Sequence, residues 1–419
     1  MKRKIEHIKS LFQNNQKVAE NYFFMTFSQG AGLIISLLLY PYLIRTLGAD
    51  IYGTYVFIFS NIQLFLLLIG FGFYFPALKK ISLHPNDKEK KSQVVSEVFT
   101  AKIYLFILCS IILAGLILTV PFVRENAIFY IIIFSTLLID ILFPSWYFQG
   151  IQKMKFVTYV NLSLRILTIP LIFIFVKSPV DLLKFVLIVS LLPLMGGIFT
   201  FFYLQTKEKI KIRLVSIISL KPLFVEAIPF FWSSAFGTIK SVSVTTTLGI
   251  FFNMESVALW DLAHKIIQIP RMIISSINSA LFPNVIQNYS KQRVKKIMRF
   301  EIILSFFAIV AIVLLGYWAV LLLGGESMMM AYPLVIVLSF TFFTWLLVGC
   351  YINFIFIPQD RNDLVFKCKL VEVITLIVLL TLGVLFFESI IFLVAAVVLS
   401  ELIETVYCFF VTRKYKMLK

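Results

Sequence analysis

A chain of 419 residues that is 60% hydrophobic and only 14% charged has too much apolar side chain for a water-soluble globule, which is near half apolar and a quarter charged. A mean hydropathy of +0.96 points to the bilayer as its solvent. The net charge of +17 first suggests a nucleic-acid partner, but its distribution along the chain gives it another meaning.

A helix needs about 20 apolar residues to cross the hydrocarbon core. Twelve segments meet this: 21–44, 51–75, 98–123, 127–149, 157–177, 182–204, 223–252, 256–283, 300–323, 331–357, 368–387 and 389–411. The expected fold class is therefore all-α, a polytopic membrane protein of about twelve spans. No connection between them is long enough for a soluble domain. Residues 1–17 are basic and polar, and the apolar run that follows is too long for a signal h-region, so no cleavable signal is expected. Cys109, Cys350, Cys368 and Cys408 lie in or beside apolar segments without CxxC spacing. They are expected to be buried apolar thiols rather than disulfides or metal ligands.

Every second connection is basic. The stretches before the first segment and after the second, fourth, sixth, eighth, tenth and twelfth hold 29 Lys and Arg, counting Lys369 at the very start of the eleventh segment. Lys79, Lys80, Lys207, Lys209, Arg361, Lys367 and Lys369 are among them. The alternate connections hold only Arg45, Arg124, Lys177 and Lys184, with acids such as Asp50, Glu125, Glu255 and Glu326. By the positive-inside rule both termini are expected in the cytoplasm. The basic excess is then a topology signal, helped by anionic lipid head groups, and needs no nucleic acid.

The first and seventh segments overlay at an offset of 205, pairing Phe27 with Trp232, Gly32 with Gly237, Asp50 with Glu255 and Tyr55 with Trp260. Phe75-Pro76 and Phe282-Pro283 close the second and eighth. These few matches, with the basic midpoint 205–222, divide the chain into six-helix lobes at 1–204 and 223–419. An even number of spans per half gives both halves one orientation, as in parallel repeats. Two such lobes leave a central cavity for alternating access.

Ionised residues at membrane depth cost about 2.5–3.5 kcal/mol on insertion scales and should face protein or water. In the eighth segment Asp261, His264, Lys265, Gln268, Arg271, Ser275, Asn278 and Ser279 recur at steps of three and four, along one helical face. Pro270 is expected to interrupt that helix. Lys240 lies on a stripe of the seventh segment with Ser233, Ser243 and Thr247. Arg165 lies in the fifth, Lys102 near the start of the third, and Arg45 at the outer end of the first. One reading is a cationic cavity for an anionic substrate; the other is internal pairing, Asp261 with Lys265 for example. Asp140, Glu372, Glu401 and Glu404 are candidates to couple transport to an ion, H+ or Na+, or else structural partners of Arg165 or Lys240. Trp146, Tyr147 and Trp260 are interfacial anchors or sugar-stacking rings. No GxxxxGK[ST], HExxH or GxSxG occurs, the only histidines are His7, His84 and His264, and no cofactor or metal is expected.

Two stretches carry a family resemblance: Pro41-Tyr-Leu-Ile-Arg-Thr-Leu-Gly-Ala-Asp-Ile-Tyr-Gly-Thr-Tyr55 and Pro144-Ser-Trp-Tyr-Phe-Gln-Gly-Ile-Gln-Lys-Met-Lys155. They resemble the polysaccharide transporter family of O-antigen (Wzx-type) flippases, within the multidrug/oligosaccharidyl-lipid/polysaccharide exporter superfamily. The resemblance implies two six-helix lobes around a cavity in the bacterial inner membrane. The implied substrate is an undecaprenyl-diphosphate-linked oligosaccharide, moved from the cytoplasmic to the outer leaflet. A polysaccharide polymerase and a chain-length regulator are implied partners. It also implies that cations on the first and eighth helices meet the pyrophosphate. Arg45, Lys265 and Arg271 are the nearest matches here, with Arg45 at the far end of its helix. The alternatives are a multidrug or toxin antiporter, which would want an acid-lined cavity, and a membrane-embedded enzyme of polysaccharide assembly, which lacks a catalytic loop here.

Overall fold

The computed structural model describes the backbone of residues 2–287 and 290–417, and the side chains of 20, 21, 23–275 and 290–417. Asn278, Ser279 and Phe282-Pro283 lie outside the described side chains. In chain order the helices are α1 Lys2–Leu47, α2 Ala49–Gly70, α3 Tyr74–Leu83, α4 Lys88–Thr119, α5 Pro121–Glu125, α6 Ala127–Ser135, α7 Leu137–Leu142, α8 Ser145–Gly150 and α9 Met154–Phe175. They continue with α10 Leu182–Thr206, α11 Lys221–Phe251, α12 Met254–Gln287, α13 Lys291–Gly324, α14 Ala331–Ser339, α15 Thr341–Tyr351, α16 Asn362–Leu382 and α17 Ile390–Lys414. The protein is all-α, as expected.

Among the described residues eleven helical segments are long and apolar enough to cross a membrane. The segment expected as the eighth span is not one of them. It is α12, 34 residues long, and Asp261, Lys265 and Arg271 sit along it. The expected interruption at Pro270 is absent, since α12 runs through it. Breaks fall elsewhere. The fourth span is divided at Thr136 and again at Phe143-Pro144, and the tenth at Phe340. Proline disfavours the helical region for the residue before it and has no N–H for the ladder, which accounts for the second.

Two compact units emerge. One comprises 1–39 with 61–235, the other 40–60 with 236–419. This partition differs from the halves drawn at 1–204 and 223–419, because residues 40–60, the end of α1 and the first half of α2, group with the C-terminal helices. Within the first unit a core of Phe73, Ile81, Val98, Trp146, Tyr147, Phe148, Leu204, Ile210 and Leu220 gathers α3, α4, α8, the end of α10 and the midpoint segment. Trp146 and Tyr147 are therefore core residues, not anchors or stacking rings. Asp87 caps α4, accepting from the Lys90 amide at 3.0 Å. That bond, with the Lys90 charge, holds its carboxyl below the usual carboxylate range.

The midpoint 205–222 contains an ordered strap. Ser92, Ser96 and Thr100, one turn apart on α4, accept the amides of Lys211 (3.2 Å), Arg213 (3.0 Å) and Val215 (3.3 Å). Four helical residues rise about 6.0 Å and two extended residues about 6.6 Å, so the two repeats run in step. The strap's backbone is satisfied by hydroxyls, and Lys207, Lys209, Lys211 and Arg213 stay exposed.

In the second unit α13 is built inside out, as lipid requires. Phe306, Phe307, Leu314, Trp318 and Leu322 are exposed, while Glu301, Ser305 and Gly316 are buried. Small residues at such contacts let backbones approach.

Candidate functional site

The C-terminal unit holds a buried charge cluster midway along its helices. Glu401 is the twelfth residue of the 25-residue α17, about 17 Å along its axis. Lys240 on α11 pairs with Glu401 at 2.6 Å and with Glu372 of α16. Lys369, one turn from Glu372, pairs with it at 2.9 Å and with Glu404 of α17 at 3.0 Å. Arg271 of α12 lies 3.8 Å from Glu401. Thr344 of α15 donates to the other Glu401 oxygen. The carboxylates are almost fully covered, their side chains 4%, 6% and 1% exposed for Glu372, Glu401 and Glu404. Buried charges persist only when paired and hydrogen-bonded, and five helices contribute to that here. Arg271 is the least engaged. Its Nη2 donates weakly to the Thr341 carbonyl at 3.4 Å, and its plane lies 5.7 and 5.4 Å from the rings of Phe342 and Trp345. Its buried Nε has no hydrogen-bond partner among the described residues.

Two cavities flank the cluster. One, of ≈ 250 Å³, is lined by Lys240, Trp260, His264, Gln268, Arg271 and Glu401 among others. The second, of ≈ 300 Å³, is bounded by Lys240, Arg271, Asn353, Lys369, Glu372 and Glu404, with Glu401 again. Trp260 stacks on His264 at 5.5 Å, so it packs on its own helix.

The polar stripe of α12 is largely consumed by i,i+4 pairing. Lys265 pairs with Asp261, and His264 meets Gln268 at 3.1 Å. The Asp261–Lys265 pair is closed by Tyr52, whose hydroxyl lies 3.1 Å from each. The Lys265 ammonium also lies 4.8 Å from the Tyr40 ring. Arg45 is exposed at the end of α1 and reaches the Leu322 carbonyl at 3.3 Å. Neither it nor Arg165 belongs to the cluster. Arg165, in the N-terminal unit, reaches the Ser28 carbonyl at 3.5 Å. Asp140, expected to partner Arg165 or Lys240 if structural, instead binds Lys102 at 2.6 Å. Sequence reading missed Lys369, counted as a cytoplasmic-turn residue, and Thr344, a hydroxyl in an apolar run.

Both stretches that carried the family resemblance have packing roles. Gly48 has φ +82, the left-handed conformation that glycine adopts freely, and it separates α1 from α2. The offset of 205 places it opposite Asn253, between α11 and α12. A Cβ at Gly53 would land on the Met254 carbonyl. In the other stretch Gln149 accepts from the Tyr74 hydroxyl, and a Cβ at Gly150 would meet Ile81 at 2.6 Å. Gly53→Ala is expected to lower stability by about 1–3 kcal/mol through overpacking. Gly30→Ala, where a Cβ meets nothing within 4 Å, should be neutral or stabilising. Melting temperatures of the two purified variants check this, and equal values would remove the packing role of Gly53.

Residues 18–289 match the family described as "Polysaccharide biosynthesis protein". A protein of Escherichia coli (strain K12), whose name proposes O-antigen transport, is 25% identical over 316 residues, 75% of each chain. Among solved structures the fold is shared with the lipid II flippase MurJ in an inward closed conformation. The TM-score is 0.66 at 15% identity, over 94% of this chain and 87% of that one. It is shared equally with an inward-facing multidrug resistance MATE transporter of the MOP superfamily, TM-score 0.66 at 12% identity, over 91% and 98%. With the family match covering well over half its length and its helices built for lipid, this chain is a multi-pass membrane protein that belongs to the polysaccharide biosynthesis protein family.

Proposed function

We propose that the protein is a flippase. It moves an oligosaccharide linked to undecaprenyl diphosphate from the cytoplasmic to the outer leaflet of the bacterial inner membrane, by alternating access. The observation that carries this reading is the pair of cavities midway along the helices of the C-terminal unit, into which Lys240 and Arg271 bring cations. A diphosphate needs such cations to leave the head-group layer, and a glycan needs the polar lining that Gln268 and Asn353 supply. Both termini lie in the cytoplasm in this reading, on the evidence of the basic asymmetry. The lobes at 1–204 and 223–419, joined by 205–222, are the moving bodies. H+ or Na+ drives the cycle through one of Glu372, Glu401, Glu404 or Asp140. A polymerase and a chain-length regulator act beside it. Arg271, Lys240 and Gln268 meet the substrate, while Lys265 and Asp261 brace α12 against Tyr52; Arg45 and Arg165 act outside this cluster.

Deleting the gene tests the reading. The lipid-linked repeat unit should accumulate in the inner leaflet, and normal export would overturn it. Removing both charges, Asp261→Ala with Lys265→Ala, is expected to restore surface polysaccharide lost in Lys265→Ala alone. Failure of that rescue at normal protein level would assign Lys265 to the substrate.

A second reading, a multidrug antiporter, is favoured by the three buried carboxylates of the cluster and by the fold shared with a MATE transporter. Drug resistance that depends on the gene while polysaccharide export does not would select it.

A further inference from the structure

We propose that the buried charge cluster is an anion-exchange site: the substrate's diphosphate displaces the Glu401 carboxylate from Lys240 and Arg271, and the displaced carboxylate takes up a proton. This rests on the lipid-diphosphate reading above and adds its charge balance; a proton bound together with the outgoing anion travels outward with it, so the ion that drives the cycle acts at a carboxylate other than Glu401.

The first support is a charge count. Among the described residues the cluster contains three cations, Lys240, Arg271 and Lys369, and three carboxylates, Glu372, Glu401 and Glu404. It is therefore not the cationic cavity that α11 and α12 alone suggest; α16 and α17 bring it to zero. A dianion entering a neutral cluster at this depth would leave two uncompensated charges, which low-dielectric surroundings penalise heavily. Protonation of Glu401 compensates one of those two charges and leaves Lys240 and Arg271 free to face the other. In atom terms, the ionic contacts of Glu401 with Lys240 and Arg271 break, two sets of N–H···O–P contacts form, and a hydronium or buffer proton bonds to the Glu401 carboxylate, leaving water or the buffer base behind. No oxidant or further reactant is required.

The second support is geometry. Glu401, Lys240 and Arg271 line both cavities, so they form the partition between them. Each cavity far exceeds the ~10–15 Å³ that one water needs, leaving room for the carboxylate to swing aside. The third is the state of Arg271. A guanidinium has five donors in a fork suited to phosphate. Here it makes one 3.4 Å bond and a 3.8 Å ion pair, and its buried Nε has no hydrogen-bond partner among the described residues. Glu401 occupies the place of an anion without filling the fork.

The groups facing Glu401 are Lys240 from α11, His264 and Arg271 from α12, Thr344 from α15, Lys369 and Glu372 from α16, and Glu404 on its own helix. The thiols of Cys368 and Cys408, 3.2 Å apart, lie one turn beyond Glu404 on the α17 side. Uptake of one proton on binding makes affinity rise as pH falls, by up to about tenfold per pH unit.

The test is titration calorimetry of the purified full-length protein with farnesyl diphosphate, at several pH values and in buffers of differing ionisation enthalpy. Inorganic pyrophosphate serves as the control for a free-phosphate ligand. Tighter binding at lower pH, with about one proton taken up per diphosphate, is expected. Glu401→Gln should bind at least about tenfold tighter with that proton lost, and Arg271→Ala should bind weakly. Wild-type binding with no proton uptake and no pH dependence overturns the exchange while leaving the flippase reading intact, whether or not Glu401→Gln folds. Absence of any diphosphate binding removes both. Equal affinity for inorganic pyrophosphate would keep the exchange and assign the site to free phosphate.

Discussion

In Lys240→Ala, most of the folded protein is expected to disappear from the membrane. Its ammonium serves two carboxylates, Glu372 and Glu401. Removing one member of a buried ion pair costs about 3–5 kcal/mol because the other is left uncompensated, a large share of a typical total of about 5–15 kcal/mol. The two carboxylates do not suffer equally. Glu372 keeps Lys369 at 2.9 Å, whereas Glu401 keeps only the 3.8 Å contact with Arg271 and the Thr344 hydroxyl. Adding Glu401→Gln should therefore recover more stability than adding Glu372→Gln. Membrane abundance and melting temperature of the three proteins measure this. A Lys240→Ala protein as stable as the parent would show that the pairs are not present in the membrane.

The same asymmetry shows where sequence reasoning stops. Spans and basic connections are properties of composition over about twenty residues, so they were legible, as was the polar face of α12. The balance of the cluster was not. Its acids sit on α16 and α17, more than a hundred residues from Lys240, and periodicity carries no information on which helices meet. Lys369 falls at the first turns of the eleventh span, where a basic residue reads as a topology signal. It is drawn into the cluster because Glu372, one turn on, and Glu404 need a partner. The Tyr-Gly pair at 52–53 and the Gln-Gly pair at 149–150 carry the family resemblance; the glycines answer to close backbone or side-chain approach and the polar residues to neighbouring helices. Such residues are recognisable as family marks for structural reasons, which is why the resemblance identified the family without locating the site.

Lys102→Ala is expected to be the most damaging change in the N-terminal unit, and the reason lies in a proline 42 positions away. In a continuous helix the carbonyl of Asp140 would accept from the amide of residue 144. Residue 144 is proline and has no N–H. The Lys102 ammonium fills that place, 2.8 Å from the carbonyl, and pairs with the Asp140 carboxylate at 2.6 Å. The lysine side chain is 6% exposed and the aspartate 37%, so partial solvation of the acid puts the loss near the lower end of the buried-pair range, about 3 kcal/mol. Removing both charges with Lys102→Met and Asp140→Asn should recover part of it, leaving an orphan carbonyl worth about 1–3 kcal/mol. Adding Pro144→Ala supplies the missing amide and should recover most of the remainder. The expected order of melting temperatures is parent, triple variant, double variant, Lys102→Ala. A double variant as stable as the parent would show that the carbonyl needs no donor. If Asp140→Asn alone stops polysaccharide export at full abundance and unchanged melting temperature, Asp140 acts in transport itself, and ion coupling in this unit becomes the better account.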